Sequence, residues 1–541
     1  MPTVSTDVAI IGSGVAGSLI ASRLAQAGLR VCILEAGAAV DRATAVQTFH
    51  KALIKVPECA YPPRAEAMHP VTDQLTHWYR QSGPDLFKST YLKVLGGTTW
   101  HWLGSCPRLI PSDFQLNTKF GRAVDWPITY DTLEPYYLQA EHELGVAGDS
   151  SQPMGSPRSG PYIMPPIPPT WLDKVVAQAL EGSRFEVSPT PQARNSIFND
   201  QRAACCGSSS CIPVCPIQAK YDATVHLKRA TAAGASVLSG STAIRLEPSA
   251  DGRISTLIFR RWDRSEGKIH AKIFVVACNA IETPRLLLAS RSAAFPNGIA
   301  NRSDQVGRNL MDHPIQLSWA LTNEPVYPYR GPISTSGIEN LRDGEFRRIH
   351  SAVRIEIGND GWSWPTGAPI TTAAHLAEQG LSGHELEAAL ADTTSRHLRV
   401  ASLTEQEPDP ENRVSLDPND HDMYGVPLPR ISYRLGDYVI QGMAWARELH
   451  SELFHRLKAT QTHHAPEFFG AGHILGTTRM GKDPASSVVD PQLRCHDHAN
   501  LFIVGGGAFP TVGTANPTLT IAALSLRAAA DIQRQLSETP E

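Results

Sequence analysis

No apolar run in the 541-residue sequence approaches the ~18 residues that a membrane-spanning helix needs. The N-terminus lacks a basic region followed by an apolar core, so no export signal of its own is expected. Neither sign of charge dominates: 49 Lys and Arg against 53 Asp and Glu give a formal net charge of −4, with no like-charged block. That excludes the electrostatic footprint of a nucleic-acid binder, and nucleic acid is not expected as a partner. No internal repeat is evident. Cysteine is sparse over most of the chain, where Cys32, Cys59, Cys106, Cys278 and Cys495 stand singly and read as small buried hydrophobes. What is abundant is length. A chain of this size exceeds the point at which one core stops growing, so at least two domains are expected.

The other four cysteines crowd into eleven residues, Cys205-Cys206-Gly207-Ser208-Ser209-Ser210-Cys211-Ile212-Pro213-Val214-Cys215. Thiolates hold iron–sulfur clusters, and a last ligand followed by proline, as in Cys215-Pro216, recurs in ferredoxin-type runs. Zinc usually takes paired knuckles with two to four residues between cysteines, whereas here zero, four and three intervene. Disulfides would close very small rings, and adjacent cysteines rarely pair with each other. Spacing leaves cluster, zinc and disulfides open, with zinc the weaker metal reading.

The first forty residues predict a strand, a glycine turn, a helix and a second strand. Asp7-Val8-Ala9-Ile10-Ile11 runs into Gly12-Ser13-Gly14-Val15-Ala16-Gly17, and Leu19, Ile20, Leu24 and Ala27 follow at helical spacing. Val31-Cys32-Ile33-Leu34 then ends at Glu35, eighteen residues after Gly17. Each part suits a dinucleotide: Gly12 for the turn, Gly14 for close approach of a pyrophosphate, Gly17 for helix–strand packing and Glu35 for the ribose hydroxyls. FAD is favoured over NAD by two later passages. Gly96-Gly97-Thr98-Thr99-Trp100-His101-Trp102 offers a backbone able to lie against a pyrophosphate and a flat ring. Leu501-Phe502-Ile503-Val504 reads as a buried strand reaching Gly505-Gly506-Gly507, with Ala508 next, and Thr518 to Leu536 reads as a long helix. Asn516 is its expected N-cap and Pro517 its first turn, so the positive helix end at Thr518 would face a reduced flavin.

In chain order, these passages with Ala280-Ile281-Glu282-Thr283-Pro284, Val306-Gly307-Arg308-Asn309-Leu310-Met311-Asp312-His313-Pro314 and His473-Ile474-Leu475-Gly476-Thr477-Thr478-Arg479-Met480-Gly481 resemble the glucose–methanol–choline (GMC) oxidoreductase family over essentially the whole chain. The cysteine run and Pro191-Gln192-Ala193-Arg194-Asn195-Ser196 narrow the resemblance to the large FAD subunits of bacterial membrane-bound dehydrogenase complexes, of the fructose, FAD-dependent glucose, gluconate and sorbitol dehydrogenase type. The resemblance implies an α/β architecture: a Rossmann-like FAD-binding domain (1–45, 75–165, 220–310 and 480–541), an iron–sulfur cluster arm (186–219) and a substrate domain with an antiparallel sheet (311–479).

The same resemblance implies FAD and a 3Fe-4S cluster, with Cys205, Cys211 and Cys215 as ligands and Cys206 as an alternative ligand or a partner in an intersubunit disulfide. It implies a small subunit carrying a twin-arginine signal, a multihaem cytochrome c subunit, and ubiquinone as indirect acceptor. The chain would then be exported folded, to the periplasmic face of the inner membrane, held there peripherally by its partners. Alcohol oxidation needs a base within reach of the hydroxyl proton, and His473 falls on the family's catalytic histidine. Asn516 falls on the second active-site position and would anchor the hydroxyl. His101 is a candidate for covalent attachment of FAD, while Asp312-His313 reads as a structural corner. Phe468-Phe469-Gly470-Ala471-Gly472 before His473 departs from the Asn-Asn-His form of the sugar dehydrogenases. That puts glucose and fructose in doubt and leaves a sugar acid, a polyol or a less polar alcohol open. An oxygen-using alcohol oxidase with a structural cysteine loop, and a non-catalytic electron carrier, are the alternatives.

Overall fold

The computed structural model describes residues 3–53, 59–61, 78–152, 154–361 and 367–538. The expected FAD-domain segments that start at 1 and 75 and end at 541 extend beyond those residues.

Strand β1 (Thr3–Ile11) has neighbours on both sides, which is why its sequence turns continuously apolar from Val8 onward. On one side β2 (Val31–Leu34) pairs with it in parallel, Val8 opposite Val31 and Ile11 opposite Leu34. On the other lies the long strand Glu266–Val276, also parallel. Ser236–Leu238 extends the sheet beyond β2, while Ile254–Arg261 and Ser241–Pro248 extend it antiparallel from the first half of Glu266–Val276. The second half of that strand pairs with Leu501–Ile503. Residues nearly five hundred positions from β1 thus re-enter its sheet, which carries Gly505 to the neighbourhood of the Gly12 turn. Helix α1 (Val15–Gln26) packs against the C-terminal helix Thr518–Glu538, and Tyr130–Leu144 covers the latter. Their apolar faces fuse with the sheet into one core.

A second, six-stranded antiparallel sheet roofs this domain. Its order is Thr460–His464, Ile315–Leu321, His397–Thr404, Val353–Gly358, Ser336–Ile338 and Val187–Pro189. The central strand alternates strictly. Val353, Ile355 and Ile357 join Leu398 and Val400 in a core with Leu449 and Leu453 of helix Asp437–Arg456 and Leu172 and Val176 of helix Trp171–Ala179. With a side-chain period of two, Arg354, Glu356 and Gly358 occupy the opposite face. Val187–Pro189 forms the edge of this sheet, so the segment expected to open the cysteine arm contributes a roof strand. Arg413–His421, Pro427–Ser432 and Arg80–Gln81 make a third, three-stranded sheet. Arg285, on helix Glu282–Ala289 of the nucleotide domain, grips it through Pro427 O at 2.8 Å and Asp422 at 2.6 Å.

Candidate active site

Between the two layers lies a cavity of about 860 Å³ whose wall takes in residues from both. One end is built from glycine turns. Gly12 has φ 102° and donates its N–H to Leu34 O at 2.8 Å, and a Cβ there would stand 2.7 Å from Ala277 O. A Cβ on Gly17 would meet Gly12 O at 2.0 Å, so only glycine lets α1 sit this close to β1. Gly14 differs: a Cβ there meets nothing within 4 Å and would project into open space beside the cavity. Gly97 packs against it, its own imagined Cβ 3.3 Å from Gly14 Cα, and Gly96 N–H donates to Ser13 Oγ at 3.0 Å. Two glycine turns therefore face each other, leaving bare backbone where a pyrophosphate fits. Glu35 closes this end, accepting from Ser13 N (3.0 Å), Ser13 Oγ (2.6 Å) and Gly37 N (2.9 Å). Burial pushes its pKa up against those donors.

Thr98 and His101 lie on the wall, as do Gly505, Gly506, Asn516, Pro517 and Thr518. Gly507 and Ala508 stand behind it: a Cβ on Gly507 would strike Thr478 Oγ1 at 2.5 Å, and Ala508 is fully buried. The lining glycines are the two that precede them. Asn516 does not cap the C-terminal helix. Ile521 N–H donates to Pro517 O at 2.9 Å, so the first helical bond ends on Pro517.

At the other end, His473 faces the cavity. Its Nδ1 lies 2.9 Å from Nδ1 of His313, whose Nε2 lies 3.0 Å from Gly513 O. These contacts fix the protons. A carbonyl oxygen only accepts, so His313 Nε2 carries hydrogen. Burial pushes the His313 pKa down to about 4, leaving that ring neutral with Nδ1 as an acceptor. His473 must then donate from Nδ1, which leaves the lone pair on Nε2, the nitrogen a base requires. Burial, then His313 and Arg354, hold the His473 pKa well below the usual value, so the acceptor form persists. Asp312 braces the backbone beneath. It accepts from the N–H groups of His473 (3.0 Å), His313 (2.7 Å) and Ala471 (3.2 Å) and from Ser89 Oγ, while burial pushes its pKa up to about 7. The Asp312-His313 corner is thus the mount of His473.

Asn516 is oriented from the roof. Arg354 Nη1 donates to Asn516 Oδ1 at 3.3 Å, which turns the amide NH2 away from Arg354 as a free-standing donor group. Arg354 is itself locked by Glu339 and Glu356, each at 2.6 Å, and by Thr190 Oγ1 at 2.8 Å. Sequence reasoning missed Arg354, which reaches the site through Asn516, together with Glu356 and Arg399 on the wall itself. The available signal was the alternation Val353-Arg354-Ile355-Glu356-Ile357, which puts two charges on one face of an otherwise apolar strand.

The cysteine loop adjoins the same cavity, with Ile212 on its wall. Cys211 and Cys215 are buried, Cys205 is partly buried and Cys206 exposed, and no disulfide joins any of the four. Cys211 and Cys215 lie close enough to Cys205 to act on its ionisation, and Arg194 favours its thiolate, although burial dominates and raises its pKa. Lys220 ties the loop to the flavin-side segment, donating to Cys211 O (2.7 Å), Trp100 O (3.0 Å) and Trp102 O (2.5 Å).

Comparison with known proteins agrees with this architecture. Models of the GMC oxidoreductases match residues 67–315 and 408–525, and a model of FAD dependent oxidoreductases matches 7–105. The chain is 37% identical to the fructose dehydrogenase large subunit of Gluconobacter japonicus, over 99% of each chain. It is 31% identical to the paromamine 6'-oxidase of Streptomyces fradiae, over 97% of this chain and 90% of that one. A crystal structure of formate oxidase superposes with a TM-score of 0.67 at 16% identity, covering 99% of this chain and 100% of that one. The chain therefore belongs to the GMC oxidoreductase family and is an FAD-dependent oxidoreductase.

Proposed function

We propose that this protein oxidises a CH–OH group of a sugar, sugar acid or polyol and passes the electrons through a 3Fe-4S cluster to a cytochrome c subunit and quinone. The observation that carries the reading is the meeting of three features on one cavity: the glycine cradle, the His473–Asn516 pair and the cysteine loop. FAD, when bound, supplies the hydride acceptor at N5. The backbone of Gly12, Gly14 and Gly97 would hold its pyrophosphate, with Gly96 bracing that turn through Ser13 Oγ from behind the wall, and Glu35 its ribose, with the start of the helix at Thr518 favouring negative charge on the ring. His101, on the same wall, remains the candidate for a covalent bond to the flavin. His473 Nε2 takes the hydroxyl proton as the carbon gives up hydride, and the Asn516 amide donates to the developing alkoxide. Because Nδ1 is held by His313, the incoming proton has one place to go.

Cys205, Cys211 and Cys215 would ligate the cluster, and the exposed Cys206 is placed to meet a partner. The relative named a large subunit supports partner subunits. The small subunit would carry the twin-arginine signal, and the assembly would sit peripherally on the periplasmic face. Among the described residues no helix is long and apolar enough to cross a membrane. On the wall, Glu356 and Arg399 of the roof add polar groups to a lining that also holds Phe468 and Phe469, which suits a polyhydroxylated molecule with one less polar side.

The likeness to an oxidase supports a second reading, with oxygen as acceptor. Anaerobic addition of sugars, sugar acids and polyols separates the readings. Flavin bleaching followed by dye-linked turnover with little peroxide is expected. Peroxide formed in step with product would establish the oxidase, and no bleaching with any alcohol would leave a non-catalytic carrier.

A further inference from the structure

Behind the cysteine loop two cations stand side by side. Arg194 and Lys220 oppose each other across an antiparallel bridge, and each is only 1% exposed. Like charges directly opposite on neighbouring strands repel, and a buried charge without a counter-ion is costly. Yet neither forms an ion pair with a carboxylate among the described residues. Lys220 spends its hydrogens on three neutral carbonyls. The Arg194 side chain makes one hydrogen bond, Nη2 to Leu103 O at 3.1 Å, and its buried Nε and Nη1 have no partner among the described residues. Neither residue lines the flavin cavity, so a pyrophosphate there is not their anion. Asp222, the carboxylate that acts on Lys220, is already paired with Arg42 at 2.6 Å. What else lies near the two cations is the cysteine loop: the Lys220 N–H lies 3.4 Å from Cys215 Sγ, its Nζ bonds Cys211 O, and Cys205 N–H donates at 2.8 Å to the carbonyl of Asn195, next to Arg194.

We propose that Arg194 and Lys220 form a cationic cradle for an anionic iron–sulfur cluster, holding it and raising its reduction potential. The inference rests on the cluster reading above. An oxidised three-iron cluster with three thiolate ligands is dianionic, opposite in sign and equal in magnitude to the charge of the two cations. A single electron, delivered from substrate by way of the flavin and removed by the next carrier, adds one negative charge without a proton. Fixed cations stabilise that more negative form, as they do any charge developing in a dry site. Arg194 supplies directed N–H donors, while Lys220 supplies a point charge and joins the loop to the Trp100–Trp102 backbone.

The test compares Arg194→Gln and Lys220→Gln with Arg194→Lys and Lys220→Arg in the purified flavoprotein. Iron and sulfide are assayed, the midpoint potential is read by EPR-monitored titration, and melting is followed before and after extraction of the iron. Each glutamine variant is expected to lower the potential by about 59 mV, a tenfold change in the one-electron equilibrium. The charge-preserving variants are expected to stay near wild type. Glutamine should lower the melting temperature of the loaded protein and raise that of the iron-free protein, where it relieves bare repulsion. An unchanged potential with iron retained overturns the proposal. So does a melting temperature that falls equally with and without iron, or a failure of both glutamine variants to fold, since either makes the cations structural. Wild-type protein devoid of iron and sulfide overturns the cluster reading itself and the inference with it. A cluster-loaded wild type whose potential ignores both cations overturns the inference alone.

Discussion

As the proposed base, His473 is only as good as the proton arrangement behind it. The chain from Gly513 O through His313 to His473 contains one consistent set of donors and acceptors, and it ends with the lone pair on Nε2. His473→Ala is expected to lower turnover by about 10²- to 10⁴-fold, the ordinary worth of a general base, with FAD still bound. Near-normal turnover in that variant would remove His473 from the mechanism. His313→Ala should also slow turnover strongly, because His473 is freed to rotate and to carry its proton on either nitrogen. Steady-state kinetics, with flavin content measured alongside, check both. At this scale the sequence named His473 and Asn516 because both stand in motifs, and it read Asp312-His313 as a corner without seeing what the corner carries. Arg354 escaped because its role is made by tertiary contact: only folding brings it to Asn516, 162 positions away.

Among the elements, the two glycines of the first turn separate packing from binding. Gly17→Ala forces a methyl group against Gly12 O and Ile10 and should destabilise the nucleotide domain even without flavin. Gly14→Ala meets no protein atom. It should leave the melting temperature of the flavin-free protein unchanged while weakening FAD binding about tenfold or more, roughly 1.4 kcal/mol. Equal melting losses in both variants would contradict this division. In the roof, His450 is fully buried on helix Asp437–Arg456, its ring nitrogens each 2.8 Å from the hydroxyls of Ser318 and Ser402 on two strands. Burial, then neighbouring His464, pushes its pKa down to about 3. An unfolded histidine titrates near 6.5, so below that pH the unfolded chain binds the proton first. The stability that His450 contributes is therefore complete above about pH 6.5 and is lost as pH falls toward 3. His450→Gln, which can still bridge two hydroxyls, should flatten the dependence of urea stability on pH between 7 and 5, and an unchanged slope would contradict the assignment. The β1–α1–β2 unit was legible because its signals are local. Val187–Pro189 was not, since three residues pairing with Ser336–Ile338 leave no periodicity to read.

For the whole molecule, the arrangement gathers three features around one cavity. The dinucleotide sheet supplies the cradle, the roof sheet supplies the polar wall and the grip on Asn516, and the cysteine loop touches the same cavity through Ile212. From motif and resemblance the sequence leads to the expectation of two lobes and a cysteine arm, the start of which, Val187–Pro189, lies in the roof sheet. It could not show that two buried cations back the arm, because their adjacency depends on a bridge between Arg194 and Lys220. In the proposed reaction electrons leave through sulfur and iron instead of going to oxygen. Low-temperature EPR of the oxidised protein, with iron and acid-labile sulfide measured on the same sample, tests it directly. The account predicts a paramagnetic three-iron signal that disappears on reduction, whereas an EPR-silent, iron-free protein with its flavin in place would contradict it.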